Sequence, residues 1–296
     1  MTHTPNYKKH LAALAALFIL GDSVIRIPAE SAGGFTFWGL VFTFAATLII
    51  FPLLFPAVSF LSKSFSSKNA AVRIISALLL SAAAVYALWN AGLCFKRFID
   101  FVSVLLLPDT PEFFITLLFI LVVAALAVKK QEVLLKFSLI SFAASAAIIV
   151  LFFALSAKDF NWQNIAIYRL PSADEFKNAV LPFIRGVSLP LLLLPVYNAV
   201  YFKKAEPASS LTGLALGFAM LALCLLDSLL IFGPELAARI DYPLSGAVST
   251  VTVGPLFFRM DGVSYFLYFT SSLIKTVFCL KLSYSALKRI KEITKK

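Results

Sequence analysis

The chain has 296 residues, of which 60% are hydrophobic and only 14% are charged, and its mean hydropathy is +0.92. This composition excludes a water-soluble globular protein and predicts an integral membrane protein. The formal net charge of +11 does not indicate nucleic-acid binding, because the basic residues are distributed as a membrane-topology signal.

About eight apolar stretches are long enough to cross a hydrocarbon core of about 30 Å, which takes about 20 helical residues. The third is long enough to tilt or to project beyond the bilayer. We therefore predict an all-α protein whose residues 1–296 form a single transmembrane domain. The stretches cover residues 11–32, 36–61, 71–106, 112–128, 133–156, 178–202, 209–232 and 262–287.

Basic residues predict the orientation of these spans. In an eight-span arrangement most basic clusters fall on one side, which the positive-inside rule assigns to the cytoplasm. Both termini are then cytoplasmic. The tail at 288–296 either rests on anionic lipid headgroups or is simply solvated. The clusters are Lys8 and Lys9; Lys63, Lys68 and Arg73; Lys129, Lys130 and Lys136; Lys203 and Lys204; and the tail from Lys288.

The amino terminus is similar to a signal peptide, with a basic start and an apolar run from Leu11 to Leu20. No small-residue cleavage site follows this run, and Asp22 and Arg26 continue into a longer span. We therefore expect a retained first helix. Two long segments, 157–177 and 233–261, are predicted to lie outside; each is either a functional loop or a plain connector.

The first and sixth spans carry the same kind of interruption. The first contains FILGDS at residues 18–23 and closes at Pro28, and the sixth contains FIRGVS at residues 183–188 and closes at Pro190. Glycine, serine and proline weaken a helix and leave backbone amides and carbonyls available to a polar ligand. The predicted topology gives the two spans opposite directions, as an inverted repeat requires.

Two charged residues fall near the middle of the membrane, where a charge costs about 2.5 to 3.5 kcal/mol on insertion scales. Asp22 lies about 16 Å from the inner end of the first span, and Lys275 about 20 Å from the outer end of the last. One interpretation is a structural ion pair, either between these two residues or between Asp22 and Arg26. The other is that Lys275 supplies a fixed positive charge beside the first break, where a transporter of this kind would bind a sodium ion or a proton.

Other intramembrane polar residues have simpler explanations. Asp227 and Lys281 lie near the ends of their spans, from which their side chains can reach the headgroups. Arg185 either recognises a carboxylate or reaches the outer headgroups. Trp89 and Asn90, midway along the third span, either line a cavity or form a packed tryptophan and an asparagine bonded to a neighbouring helix.

The sequence has no hydrolase triad, metal-spacing cluster, phosphate loop or pair of catalytic carboxylates. We therefore expect no enzymatic activity, no catalytic residue, no metal and no cofactor. The three cysteines lie in separate spans, and we interpret them as small buried hydrophobic residues. They are Cys94, Cys224 and Cys279.

Four segments together resemble the spore germination permeases, the membrane B subunits of germinant receptors. This family belongs to the amino acid/polyamine/organocation transporter superfamily. The resemblance runs from about residue 10 to 287, and LLPDTP and GPELAAR are its more specific parts. The segments are GDSVIRIP (21–28), FIDFVSVLLLPDTPEFFI (98–115), FGPELAARIDYP (232–243) and RMDGVSYFLYFTSSLIKTVFCLKLSY (259–284).

The resemblance implies a five-plus-five inverted-repeat fold with discontinuous helices one and six. Residues 1–156 would be the first repeat, and 178–287 a second repeat that lacks two helices of the family. Helices one, three, six and eight would build a pocket, and Lys275 would match a lysine common in the family. Leu189 and Pro190 stand where relatives often carry an acidic residue. The implied ligand-binding residues are Gly21, Asp22, Ser23, Gly186, Val187, Ser188 and Lys275, and we add Asn90 of the third span as a candidate.

The function that this implies is recognition of a small nutrient, such as an amino acid, during spore germination. The subunit would lie in the inner (cytoplasmic) membrane of the spore or cell, beside the A and C subunits of the receptor, and would bind no nucleic acid. Two alternatives stay open. One is a secondary active amino-acid transporter, and the other is a degenerate scaffold subunit that holds partners in the bilayer and binds no small ligand.

Overall fold

The computed structural model describes residues 7–24, 35–64, 69–165, 171–201, 207–250 and 261–294. Within these ranges the secondary structure is helical, and no strand occurs. The α-helices are α1 (Tyr7–Ser23), α2 (Thr36–Ser64), α3 (Ala70–Phe101), α4 (Glu112–Ala127), α5 (Gln131–Ser156), α6 (Ala173–Phe183), α7 (Leu193–Tyr201), α8 (Pro207–Ala237), α9 (Pro243–Thr250) and α10 (Asp261–Thr294).

Six helical stretches in the described residues are long and apolar enough to cross a membrane, and the chain is an all-α integral membrane protein. The described part of each predicted span is helical, but α1 and α4 are too short to count among the six, and the sixth span is divided between α6 and α7. The third predicted span, found at Ala70–Leu106, is the longest of the six, in line with its predicted length. The six are Thr36–Pro56, Ala70–Leu106, Gln131–Asp159, Ala173–Tyr201, Pro207–Ala237 and Ser264–Ile293.

The first helix lies inside the bundle. Every residue from Leu11 to Leu20 is at most 8% exposed, and α1 packs against α5, α8 and α10. By contrast, one side of α3 exposes large apolar side chains, among them Ile74, Leu78 and Val85. Protein therefore surrounds α1, while α3 has a face available to lipid.

Two glycines of α8 let α1 approach closely. A side chain at Gly213 would overlap the carbonyl oxygen of Ala12, and a Cβ at Gly217 would lie 2.9 Å from the carbonyl oxygen of Ala16. Small residues four apart form a groove that a neighbouring helix can enter, and this is a common way to pack helices in membranes. The pair Gly213 and Gly217 therefore determines the distance between α1 and α8.

A kink in α8 is stabilised by the segment that follows α5. Gly233 has φ 75° and ψ 163°, a conformation almost confined to glycine, and Pro234 cannot donate a hydrogen bond to Leu230. The Leu230 carbonyl instead accepts hydrogen bonds from the Asn161 backbone N–H at 3.0 Å and from Asn164 Nδ2 at 3.1 Å. Residues 161–164 therefore anchor the kink, and residues 166–170 of the predicted loop lie outside the described residues.

The second predicted loop, 233–261, contains helix α9. Leu244, Ala247 and Val248 of this helix are buried, and α9 packs against α8, α10 and α5. This part of the loop is therefore covered by protein, and residues 251–260 lie outside the described residues.

We expect Gly217→Val to destabilise the bundle, because a branched side chain would collide with the backbone of α1. Overpacking of this kind costs about 1 to 3 kcal/mol. Ala219→Val, two residues along and on the exposed side of α8, is the matched control. The midpoint of thermal unfolding in detergent should fall for the first variant and stay near the wild-type value for the second. Equal midpoints would contradict this account of the α1–α8 contact.

Candidate functional site

The backbone is irregular at the first predicted break. Gly21 has φ 15° and ψ −118°, which is not a helical conformation, although the helix continues on both sides of it. Ser23 is buried, and the Val24 N–H donates to the Leu20 carbonyl at 3.0 Å. The first break is therefore a local distortion at Gly21, centred where the sequence predicts it.

The second predicted break is longer. After α6, residues Ile184–Ser188 form a π-helical turn closed by the Leu189 N–H and the Ile184 carbonyl at 2.9 Å. A 3₁₀ turn over Pro190–Leu192 follows and leads into α7. Single π turns inside helices occur frequently at functional sites. The sixth span is thus interrupted over Ile184–Leu192, again where the sequence predicts it.

Lys275 of α10 lies against the first break. Its side chain is 3% exposed, and its Cδ occupies the position that a side chain at Gly21 would need. Its Nζ lies 5.3 Å from the centroid of the Phe18 ring, a distance typical of a cation–π interaction. One turn earlier on α10, Ser271 Oγ donates to the Gly21 carbonyl at 3.1 Å. Groups of α10 therefore pack on both the backbone and the open face of Gly21.

The predicted partner of Lys275 is Asp22, whose side chain lies outside the described residues. Its backbone follows Gly21 at the end of α1. The ion pair between Asp22 and Lys275 therefore stays a prediction.

Helix α3 faces the Lys275 region with Tyr86 and Asn90. The Tyr86 hydroxyl lies within electrostatic reach of Lys275, and Asn90 Nδ2 donates to the Tyr86 carbonyl at 2.8 Å. Asn90 is buried, but this bond is to its own helix rather than to a neighbour. Trp89 is 66% exposed, so both interpretations of it, as a cavity-lining or a packed residue, are wrong. The rotation of α3 points Trp89 away from the bundle.

The second break contacts a different helix. Ser188 Oγ shares a hydrogen bond of 2.8 Å with Thr47 Oγ1 of α2, and Val187 is buried. A side chain at Gly186 would meet open space. A groove of about 180 Å³ runs between α2 and the break, and its walls include Thr47, Ile50, Ser188, Leu189 and Leu192. Gly21 thus lies against α10 and Ser188 against α2, and the π turn of the second break also packs against α1.

Two predictions about the ends of spans need correction. Asp227 does not reach the headgroups, because it is 2% exposed inside the bundle. Lys281 is also buried, and its Nζ donates to the Lys129 carbonyl just beyond the end of α4. Arg185 is exposed. The three cysteines are buried and free of disulfides, as predicted.

Sequence reasoning did not select Phe18, Tyr86 or Ser271. The signal was nevertheless present, since Ser271 precedes Lys275 by four residues and Phe18 precedes Gly21 by three, which places each pair on one face of its helix. Tyr86 precedes Asn90 by four residues in the same way. Helical spacing around an intramembrane charge would have identified all three.

The positive charge at this site is the Lys275 ammonium, and the described residues contain no group of three His, Cys, Asp or Glu side chains that could bind a metal ion. The site consists of one buried ammonium, that of Lys275, beside the distorted backbone of α1 at Gly21. Neither a scan against protein-family models nor a search of curated proteins found a match to this chain. The resemblance to germination permeases therefore stays a prediction.

We expect Gly21→Ala to displace the Lys275 side chain, because the new methyl group would occupy the position of Lys275 Cδ. The cost should be about 1 to 3 kcal/mol, as for overpacking elsewhere. Gly186→Ala, whose methyl group would enter open space, is the matched control at the second break. The measurement is thermal unfolding in detergent. The combined cost of Gly21→Ala and Lys275→Ala should be smaller than the sum of the two single costs, and strict additivity would contradict the contact.

A double-mutant cycle of Asp22→Asn and Lys275→Met tests the predicted ion pair. Removal of one partner of a buried pair leaves a charge in a site of low dielectric constant, which costs about 3 to 5 kcal/mol, whereas removal of both should cost less. The readouts are thermal stability and abundance in the membrane. Strictly additive effects would show that Lys275 and Asp22 are not paired.

Proposed function

We propose that this protein is a ligand-sensing membrane subunit of the germinant-receptor permease type, which recognises a small nutrient, such as an amino acid, and keeps the architecture of a secondary transporter. The observation that carries this proposal is the position of Lys275. A buried ammonium lies across the distorted backbone at Gly21, in a chain that is interrupted a second time at Ile184–Leu192.

The interrupted spans are the expected ligand-binding elements. In transporters with inverted repeats, the free backbone groups of discontinuous helices bind the substrate and the coupling ion near the middle of the membrane. An amino-acid carboxylate would bind the amides of a half-helix amino terminus, where the helix dipole favours a negative charge. In this proposal residues 1–156 and 178–287 are the complete and the incomplete repeat.

The presence of Lys275 favours ligand sensing over sodium-coupled uptake. A sodium ion at the first break could dissociate on the other side of the membrane and drive transport. The ammonium of Lys275 is covalently attached to α10 and cannot leave. A site that carries this ammonium can bind a ligand without sodium, and only release of its proton could couple it to an ion gradient, which is the transporter alternative. This reasoning supports a receptor subunit, which would act beside A and C subunits in the inner membrane.

The test is ligand binding by the purified chain in lipid nanodiscs, with a panel of the amino acids and thermal unfolding as the readout. A ligand that binds only the folded state at 100 times its Kd stabilises it by about 2.7 kcal/mol. We expect one or a few amino acids to raise the unfolding temperature of the wild type. Gly21→Leu should lose this shift, and so should Gly186→Leu, whose side chain enters open space at the second break and leaves the fold intact. Gly262→Leu, whose side chain would enter open space, should keep it.

Other outcomes identify the alternatives. A Gly21→Leu variant with an unchanged ligand shift would place the site elsewhere. Accumulation of the labelled ligand in proteoliposomes would establish a secondary transporter. If no amino acid binds, while the chain still forms a complex with A and C subunits, the protein is a scaffold. Genes for these subunits beside this one would favour the receptor.

A further inference from the structure

Three buried oxygen-bearing side chains that belong to three helices lack hydrogen-bond partners within the described residues. Asp227 of α8 is 2% exposed, and neither of its carboxyl oxygens has a hydrogen-bond partner. The hydroxyls of Ser156 on α5 and Tyr268 on α10, both fully buried, are also without one. Ser156 lies within hydrogen-bonding reach of the Asp227 carboxyl, although not in standard hydrogen-bond geometry, and Tyr268 interacts with it only electrostatically. Since buried polar groups are normally satisfied, this cluster is a candidate binding site for a proton, a water molecule or an ion.

A cavity of about 10 Å³ adjoins the carboxyl. This is the smallest volume that holds one water molecule, and it is too small for a hydrated cation. Its walls are mainly apolar, and they supply few of the six or more oxygen ligands that a hard divalent cation takes. The cavity is lined by Ile149, Phe152, Leu223, Cys224, Asp227, Leu244, Ser264 and Leu267.

The described surroundings of Asp227 provide no positive charge. Helix α5 presents Ser156, α9 presents Leu244, and α10 presents Ser264 and Tyr268. The titratable groups that face the carboxyl are the Cys224 thiol on its own helix and the Tyr268 hydroxyl. Neither can neutralise a carboxylate. An isolated ionised carboxyl in such an interior costs several kcal/mol, so it binds a proton instead.

We propose that Asp227 is a proton-binding site at which a neutral carboxyl group joins α5, α8 and α10. A protonated carboxyl both donates and accepts hydrogen bonds, so it can bond to the Ser156 hydroxyl, and without its charge it packs beside Tyr268 at lower cost. When the proton leaves, it passes to a water molecule that enters the cavity. The remaining carboxylate then requires several water molecules, for which the packed contact of α8 with α5 and α10 has no room. Proton release therefore opens the contact of α8 with α5 and α10.

Proton release at Asp227 would also affect the part of α10 that carries Lys275. Tyr268 precedes Lys275 by seven residues, which is about 10 Å along the helix. Movement of this part of α10 therefore shifts the helix that carries Lys275. The proton site rests on different residues from the proposed ligand site, and either can fail without the other.

The direct test is infrared difference spectroscopy of the full chain in nanodiscs between low and high pH. A protonated carboxyl group gives a C=O stretching band in the membrane-buried region of the spectrum. We expect this band in the wild type at low pH, its loss in Asp227→Asn, and its retention in Glu235→Gln, a matched variant of an exposed acid on the same helix. Ser156→Ala keeps the carboxyl and should shift the band, which assigns it to Asp227 even if Asp227→Asn misfolds. A band absent from the wild type, or unchanged in both Asp227→Asn and Ser156→Ala, overturns the proposal.

Cys224 reports on the opening, because it lines the same cavity and is buried. In a Cys94→Ala, Cys279→Ala background, its rate of modification by a maleimide is measured against pH. The same rate in Asp227→Asn corrects for ionisation of the thiol itself. The ratio of the two rates should rise with pH as Asp227 loses its proton. A ratio that does not change with pH overturns the coupling. A ratio that differs between NaCl and choline chloride at constant pH overturns the proton assignment and shows that the site binds a sodium ion.

Discussion

The arrangement of this protein depends on the burial of α1 inside the bundle. In a membrane the helices gain little from leaving lipid, because the lipid is as apolar as their own side chains, so association depends on close packing. Gly213 and Gly217 allow α8 to lie directly against the small residues of α1. Protein therefore surrounds the Gly21 distortion, and it does not face lipid.

A distortion in this position must be satisfied by protein groups, because hydrocarbon offers no hydrogen bonds. Ser271 supplies a hydroxyl to the Gly21 carbonyl, and Lys275 fills the space that glycine leaves open. The kink of α8 follows the same rule, since Asn161 and Asn164 satisfy the Leu230 carbonyl that Pro234 leaves free. Each interruption thus has a partner from another segment.

Helix α10 connects these features. It carries Ser271 and Lys275 against α1 and Tyr268 near Asp227 of α8, and it packs along α3 over much of its length. The buried ionisable side chains Lys275, Lys281 and Asp227 thus lie on α10 or at its contacts. A change in protonation or ligand occupancy at Lys275 or at Asp227 would act on the same helix, which gives a physical route by which a sensing subunit could report a bound ligand.

The sequence by itself determined the membrane class, the positions of the spans, the long third helix, the buried cysteines and the two interruptions at Gly21 and Ile184–Leu192. Each of these follows from apolar length or from glycine and proline, which act locally. Only the tertiary structure decided which face of each helix points into the bundle. Trp89 faces outward and Asp227 inward, against expectation, because lipid and protein interior are both apolar and a uniformly apolar helix carries no pattern that distinguishes its two faces. The contact between Gly21 and Lys275, 254 positions apart in the numbering, is likewise a product of packing.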